Sequence, residues 1–183
     1  MGVKDGFMGA SMLLKVALIL IIVSNVCNWI AFCTASWGYT DNLLVNPNEI
    51  GVGIWRRCGL TGSCSDRDGL REKWIMAFQG FAIFGYVGIN MVMLLIILFL
   101  FVGACKRNGE VKMGAIITAF VTAICYAAAV FIFNSESNEN VLRPEDYKLG
   151  FSFDLAIIAL VLEAITGVLL IVDGKGGSTS PAR

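Results

Sequence analysis

The chain has 183 residues, of which 57% are hydrophobic and 15% are charged, and its mean hydropathy is +0.75. Soluble domains carry about 25% charged residues, so this composition excludes a soluble enzyme domain, a disordered tail and a nucleic-acid-binding protein. Fourteen basic residues balance fourteen acidic ones, which leaves no positive field to attract a polyanion. Histidine, the commonest general base and metal ligand, is absent from the sequence. The remaining class is an integral membrane protein.

Four segments are long and apolar enough to cross about 30 Å of hydrocarbon as helices. They are predicted at residues 12–32, 75–102, 113–133 and 151–172. The second is the longest, so it must tilt or project beyond the bilayer. The four spans predict an all-α membrane four-helix bundle in a single domain over residues 1–183.

The first span has an alternative interpretation as a cleaved signal peptide. The sequence from Cys33 to Ser36 loosely resembles a small-residue cleavage site. The apolar stretch before it is longer than a typical signal core, and cleavage would leave three spans. We therefore expect the segment to remain as a membrane helix.

An even number of spans places both termini on one side of the membrane. The short connection between spans two and three carries Lys106, Arg107 and Lys112, which is a cytoplasmic signal. Cys58 and Cys64 lie in the long connection and can form a disulfide only in an oxidising compartment. We therefore expect a multi-pass plasma-membrane protein with cytoplasmic termini. The predicted extracellular loops are 33–74 and 134–150, and the predicted cytoplasmic loop and tail are 103–112 and 173–183.

Small residues predict close contacts between helices. The third span carries alanine at every fourth position, and the second carries glycines. Small residues let helix backbones approach closely in lipid. The predicted helix-packing residues are Ala115, Ala119, Ala123, Ala127, Gly85 and Gly88. They would pack within one bundle or form a surface for the helix of a partner protein.

Glu163 lies near the middle of the fourth span, where a charged carboxylate costs roughly 2.5 kcal/mol or more. We expect it to face the bundle interior, either protonated or hydrogen-bonded to other polar side chains. The candidate hydrogen-bonding partners are Asn25, Asn28, Gln79, Asn90 and the threonines of the third span. The alternative is a site that meets the helix of a partner protein.

The long loop has strand composition interrupted by turn-forming residues. The runs 43–45 and 50–55 predict short strands of a small extracellular antiparallel sheet. Cys58 and Cys64 enclose five residues, a spacing that is not a zinc pattern. A disulfide between them would join two neighbouring strands or the ends of a turn, and would stabilise the loop by roughly 2 kcal/mol. The charged run 66–73 is interpreted as a solvated rim, with an adhesive or channel-contacting edge as the alternative.

Cys105 directly precedes Lys106 and Arg107 at the predicted cytoplasmic edge of the second span. Cysteines in such juxtamembrane positions are candidates for reversible palmitoylation. Cys105 is therefore a predicted lipidation site.

Trp37, the stretch Gly53-Ile54-Trp55 and the two loop cysteines resemble the W–GLW–C–C signature of a superfamily of four-span proteins. This superfamily comprises the claudins, peripheral myelin protein 22 and the epithelial membrane proteins. The number of spans and the order of long, short and medium loops are also similar. The resemblance implies a claudin-like bundle topped by a sheet from both extracellular loops. It further implies that Trp37 and residues 53–55 pack between sheet and membrane, and that the two cysteines are bonded.

Three features differ from the usual pattern of that superfamily. Ile54 stands where the signature usually has leucine, which is a trivial change. The cysteines are closer together, which shortens the hairpin between them. The tail ends in Ser-Pro-Ala-Arg and lacks the short hydrophobic PDZ-binding motif of many junctional claudins. Binding to PDZ scaffolds is therefore not expected.

The sequence contains no catalytic constellation, phosphate-binding loop or metal-ligand cluster, so we expect no enzyme activity, cofactor or metal. The leading hypothesis is a claudin-like structural protein of cell–cell junctions, in contact with membrane lipids and with like molecules on the same and opposing cells. Its extracellular loops would form or regulate a paracellular barrier or ion pathway. An alternative is an auxiliary subunit of an ion channel or receptor, with Glu163 and the alanine row as the contact. A third is a tetraspan of the myelin or epithelial-membrane type.

Overall fold

Helices account for most of the described chain. A computed structural model describes residues 3–40, 51–59, 62–70, 72–103, 105, 108–140 and 147–176. Within these ranges the helices are α1 (Val3–Met8), α2 (Met12–Cys33), α3 (Lys73–Phe101), α4 (Gly109–Asn140) and α5 (Phe151–Gly176). Helices α2 to α5 are the four in the described chain that are long and apolar enough to cross a membrane.

The four long helices form a bundle in which α3 and α5 lie diagonally opposite each other. Each of these two helices packs against both α2 and α4. The most extensive contacts join α3 with α4 and α2 with α5, whereas α2 and α3 touch over a smaller area. The side of the bundle between α2 and α3 is therefore the most loosely closed.

A five-stranded antiparallel sheet covers one end of the bundle. Its strands are β1 (Gly38–Thr40), β2 (Gly51–Val52), β3 (Arg56–Cys58), β4 (Cys64–Asp66) and β5 (Tyr147–Leu149). Their order across the sheet is β4-β3-β2-β1-β5, so β1 from the long loop pairs with β5, which immediately precedes α5. The predicted fold class, a membrane four-helix bundle with a small antiparallel sheet, is confirmed.

The strand positions refine the sequence-based prediction. The predicted run 50–55 is divided between β2 and a bend that leads into β3, because the chain must reverse direction within it. The predicted run 43–45 lies outside the described residues. The sheet is therefore built from shorter strands than the sequence pattern indicates.

Helices α4 and α5 extend furthest beyond the predicted spans, and one helix was not predicted. Helix α4 continues past the predicted limit at 133 to Asn140, because the polar residues that follow contain neither proline nor glycine and a helix can continue in water. Helix α5 continues to Gly176. The short helix α1 packs against the end of α3, where Gly6 lies against Leu100 and Phe101.

The end of the bundle away from the sheet is closed by polar contacts around Asp173. Its carboxylate accepts hydrogen bonds from the Ser11 hydroxyl and from the Lys112 ammonium group. The same Ser11 hydroxyl caps α2 by accepting a hydrogen bond from the Leu14 amide at 3.1 Å. These contacts tie together the ends of α2, α4 and α5.

The predicted small residues lie mostly where helices meet. Gly85 faces the ring of Tyr126 and Gly88 faces the side chain of Thr122, so α3 and α4 approach closely at both positions. Of the alanine row, Ala115, Ala119 and Ala123 are buried.

Ala127, the last alanine of the row, lies instead on the exposed face of α4. A row with a spacing of four residues drifts around a helix of 3.6 residues per turn, and twelve residues rotate the direction by about 120°. Tyr126 and Ala129 occupy the buried face at that level. Ala127 therefore does not contribute to packing inside this bundle.

Substitution of Gly88 by alanine tests the close approach of α3 and α4. The added Cβ would overlap the Thr122 side chain, and overpacking of this kind costs about 1–3 kcal/mol. We expect Gly88→Ala to lower the thermal unfolding temperature in detergent. Gly80→Ala is the matched control, because a Cβ at Gly80 meets no atom within 4 Å. Equal unfolding temperatures for the two variants would contradict the packing shown here.

Candidate functional site: the sheet platform

Trp37 joins the sheet to the membrane bundle. Its side chain is fully buried, and its indole Nε1 donates a hydrogen bond to the Ala31 carbonyl of α2 at 2.7 Å. Its ring meets Phe78 of α3 at 5.0 Å, Phe133 of α4 at 5.3 Å and Phe153 of α5 at 6.1 Å between centroids. One side chain from the start of β1 therefore contacts all four membrane helices.

The Gly53–Trp55 bend sits directly on the end of α2. A Cβ at Gly53 would overlap the backbone of Thr34 and Ala35, so only glycine allows this approach. Ile54 is fully buried beneath the bend. These predicted signature residues therefore lie where the sheet meets the helices.

Arg67 and Gln79 hold this bend in place. The Arg67 guanidinium donates a hydrogen bond to the Gly53 carbonyl at 3.1 Å and lies 4.6 Å from the centre of the Trp74 ring. The Gln79 amide donates to the carbonyls of Ile54 and Arg67 at 3.0 and 3.2 Å.

The interpretation of residues 66–73 as a solvated rim is wrong for Arg67, which is buried. Charge alternation along the sequence could not distinguish it from its exposed neighbours, because its burial depends on Trp74 and on the bend. The stacking of a planar guanidinium on an aromatic ring is a favourable way to bury such a charge.

Trp55 differs from Trp37 because it lies at the edge of the bundle. Its ring meets Phe32 at 5.2 Å in an edge-on arrangement, and Phe32 stacks on Tyr86 at 4.2 Å. Tyr86 in turn meets Trp29 at 5.0 Å. These four rings form a continuous aromatic ladder, named here the α2–α3 ladder, on the loosely closed side of the bundle.

Cys58 and Cys64 form a disulfide that joins β3 and β4. The two residues are directly opposite each other in the antiparallel pair. Of the two arrangements that the sequence left open, the structure has the bond between neighbouring strands. Salt bridges of Arg56 with Asp66 at 3.6 Å and of Arg57 with Glu72 at 3.7 Å lie beside it.

Glu163 is fully buried in the bundle, and neither carboxylate oxygen has a hydrogen-bonding partner among the described residues. Of the predicted partners, Gln79 bonds to the bend, and the three asparagines are engaged with each other or are unpaired among the described residues. The Asn25 side-chain amide donates a hydrogen bond to the Asn90 side-chain oxygen at 3.1 Å. The Asn28 side-chain amide is buried and has no hydrogen-bonding partner among the described residues.

The idea that Glu163 contacts a partner's helix conflicts with this complete burial. The rotation of α5 about its axis, which sequence spacing alone does not reveal, turns Glu163 inward. Of the two expectations for the buried carboxyl group, protonation and hydrogen bonding, the described residues provide no hydrogen bond. A carboxyl group buried without such a bond is a cost to the fold.

Cys105, the predicted lipidation site, does not belong to the sheet platform. Cys105 is half-buried beyond the end of α3, on the side away from the sheet. Within the described ranges, no group of three or more Cys, Asp or Glu side chains is arranged to hold a metal ion.

Comparison with known families agrees with this architecture. The sequence profile of the PMP-22/EMP/MP20/Claudin family matches residues 6–170. The chain belongs to the PMP-22/EMP/MP20/Claudin family. A search among curated proteins found no similar sequence. Membership of this structural, non-enzymatic family and the four apolar helices make the chain a tetraspan, claudin-like, multi-pass membrane protein.

Removal of the disulfide tests the stability of the platform in this claudin-family protein. A closed loop of this size is worth about 2 kcal/mol through its effect on the unfolded chain. We expect the Cys58→Ser/Cys64→Ser double variant to be cleaved faster by protease added on the sheet side, with the helices remaining intact. The control is Cys33→Ser, which removes an unbonded thiol. Mass spectrometry of an unreduced digest should find Cys58 joined to Cys64, and free thiols at both positions would refute the bond.

Replacement of Glu163 tests whether its carboxyl group is a cost to the fold. Glu163→Met keeps a similar volume and removes a buried polar group that has no hydrogen-bonding partner among the described residues, so we expect unfolding in detergent to require about 1–3 kcal/mol more. Ser24→Ala is the control with the opposite expectation, because its hydroxyl donates to the Ala159 carbonyl at 2.8 Å. Destabilisation by Glu163→Met would show that the carboxyl group makes a favourable contact.

Proposed function

We propose that this claudin-family member is a structural protein of cell–cell junctions. Its sheet platform faces the extracellular space, its termini are cytoplasmic, and it binds other copies of the chain on the same and opposing cells. Rows of such copies form or regulate a paracellular barrier or ion pathway. This proposal rests on the shape and surface of the platform.

The observation that carries the proposal is the placement of exposed apolar side chains at opposite corners of the platform. Leu70 is 88% exposed and follows β4, close to the start of α3 because Gly69 lies against Gln79 and Met76. Phe151 is 54% exposed at the start of α5. Since α3 and α5 are diagonal in the bundle, the two residues lie on opposite sides of the molecule.

Apolar groups on opposite sides favour head-to-tail association. A contact between two different patches leaves one patch free on each end of the pair, so it propagates into a row instead of closing a dimer. Leu149, also exposed, lies on edge strand β5 beside Phe151, and β4 forms the other edge next to Leu70. Each of the two apolar corners therefore lies beside one edge strand of the sheet.

Two contacts pre-order the described strands of the platform. Trp37 connects the platform to four helices, and the disulfide joins the edge strand β4 to its neighbour β3. A pre-ordered surface loses less conformational entropy on association than a flexible loop. This supports assembly through the extracellular loops.

The alternative of an auxiliary channel or receptor subunit has weaker support. Of its two suggested contacts, Glu163 is buried. Ala127 remains exposed on α4, between the exposed residues Ile124 and Phe131, where a partner's helix could approach. The following experiment distinguishes the junction function from this one and from a myelin-type or epithelial-membrane-type role.

The protein should form rows when it is expressed alone in cells that lack junctions. We expect concentration at cell–cell contacts and continuous strands in freeze-fracture images. Leu70→Ser should weaken the lateral contact by roughly 10- to 150-fold, because a buried leucine side chain contributes about 1.5–3 kcal/mol, and strands should become short or absent. Leu70→Met keeps an apolar group and should retain strands.

Uniform surface staining without strands would contradict the junction proposal. Co-purification of a channel, lost in an Ala127→Leu variant, would then support the auxiliary-subunit function. Uniform surface staining with neither strands nor a co-purified channel would support the third role, that of a myelin-type or epithelial-membrane-type tetraspan.

A further inference from the structure

A groove opens at the boundary between the sheet and the membrane, on the loosely closed side of the bundle. Its volume is about 330 Å³. It is lined by Phe32, Cys33, Thr34, Ala35, Trp55 and Arg56. The groove therefore lies between the end of α2 and the bend that joins β2 to β3, where the apolar helices give way to the sheet.

The lower wall of the groove continues as the α2–α3 ladder. From Trp55 the rings pass to Phe32, then to Tyr86 and finally to Trp29, which lies about one helical turn deeper in α2. Trp29 is exposed on the lipid-facing surface. Phe32, Tyr86 and Trp55 are half-buried, so part of this aromatic surface is accessible on the side where α2 and α3 have the fewest contacts.

The upper rim of the groove carries a positive charge. The Arg56 side chain is 66% exposed, and its ion pair with Asp66 at 3.6 Å lies in water, where such a pair is weak. A planar guanidinium binds phosphate oxygens through two parallel, charge-assisted hydrogen bonds. The groove thus combines a phosphate-binding group above with an apolar, aromatic surface below.

We propose that this groove binds one phospholipid of the leaflet on the sheet side, with its phosphate on Arg56 and an acyl chain along the α2–α3 ladder. From the sheet toward the middle of the bundle, the site presents a charged group, then aromatic rings and then a lipid-facing helix surface. A phospholipid presents its headgroup, glycerol and acyl chains in the same order. Indole and phenol rings at this depth are favourable at the membrane interface. The site is independent of the corners that carry Leu70 and Phe151, so it does not depend on the proposed rows.

The experiment uses the full chain in lipid nanodiscs that contain a trace of photoactivatable phosphatidylcholine, with a diazirine near the glycerol. After irradiation, the labelled residues are mapped by mass spectrometry. We expect labels to concentrate on residues 32–35 and on Trp55. A diacylglycerol probe with the same chains and diazirine, but without phosphate, should label these residues about threefold less.

Arg56→Gln should reduce labelling by phosphatidylcholine to the level of the diacylglycerol probe. Lys73→Gln is the matched control, because Lys73 is an exposed cation at the same end of the bundle that does not line the groove. Labelling of the groove in Lys73→Gln should equal that of the unchanged protein. The thermal unfolding temperature of both variants shows whether the fold is retained.

Three results would overturn the proposal. The first is equal labelling of the groove and of lipid-facing residues on α4, such as Ile124, which would show ordinary annular lipid. The second is equal labelling by both probes in the unchanged protein, a comparison that needs no variant. The third is crosslinking of Cys33 to a second copy of the chain in place of lipid labelling.

Discussion

The indole of Trp37 is the contact on which the rest of the structure depends. It directly precedes the first strand of the sheet and lies among side chains of all four membrane helices, and its polar atom is satisfied by the Ala31 carbonyl. A buried tryptophan combines a large apolar surface with a hydrogen-bond donor that needs a partner. This combination fixes the height and the orientation of the sheet on the bundle.

Once the sheet is held at that height, the other contacts of the platform become possible. The Gly53 bend can rest on the end of α2, and Arg67 can donate to it while its charge stacks on Trp74. The short strands bury too little apolar surface to be stable alone, so they need the bundle beneath and the disulfide at their outer end. The platform that we propose to assemble into rows is therefore an extension of the bundle and not an independent domain.

The positions of polar groups in the bundle show the limits of sequence reasoning. The charge of Glu163 in the middle of a span indicates correctly that it faces inward, because lipid contact would cost more. Whether it finds a hydrogen bond depends on the rotation and depth of three other helices, and in this bundle it finds none among the described residues. The interpretation of Arg67 as part of a solvated rim is wrong for a similar reason, because the ring that covers it lies on α3 and not in its own loop.

The sequence by itself determined the membrane class, the four spans, the small sheet and the family signature, because hydropathy, strand composition and residue spacing act locally along the chain. Only the tertiary structure decided which face of each helix is buried, as Ala127 and Glu163 show, and which side of the bundle remains loosely closed. Those features depend on the relative rotation of packed helices. In lipid that rotation is set by the shape of many small contacts, and no single segment of the sequence encodes it.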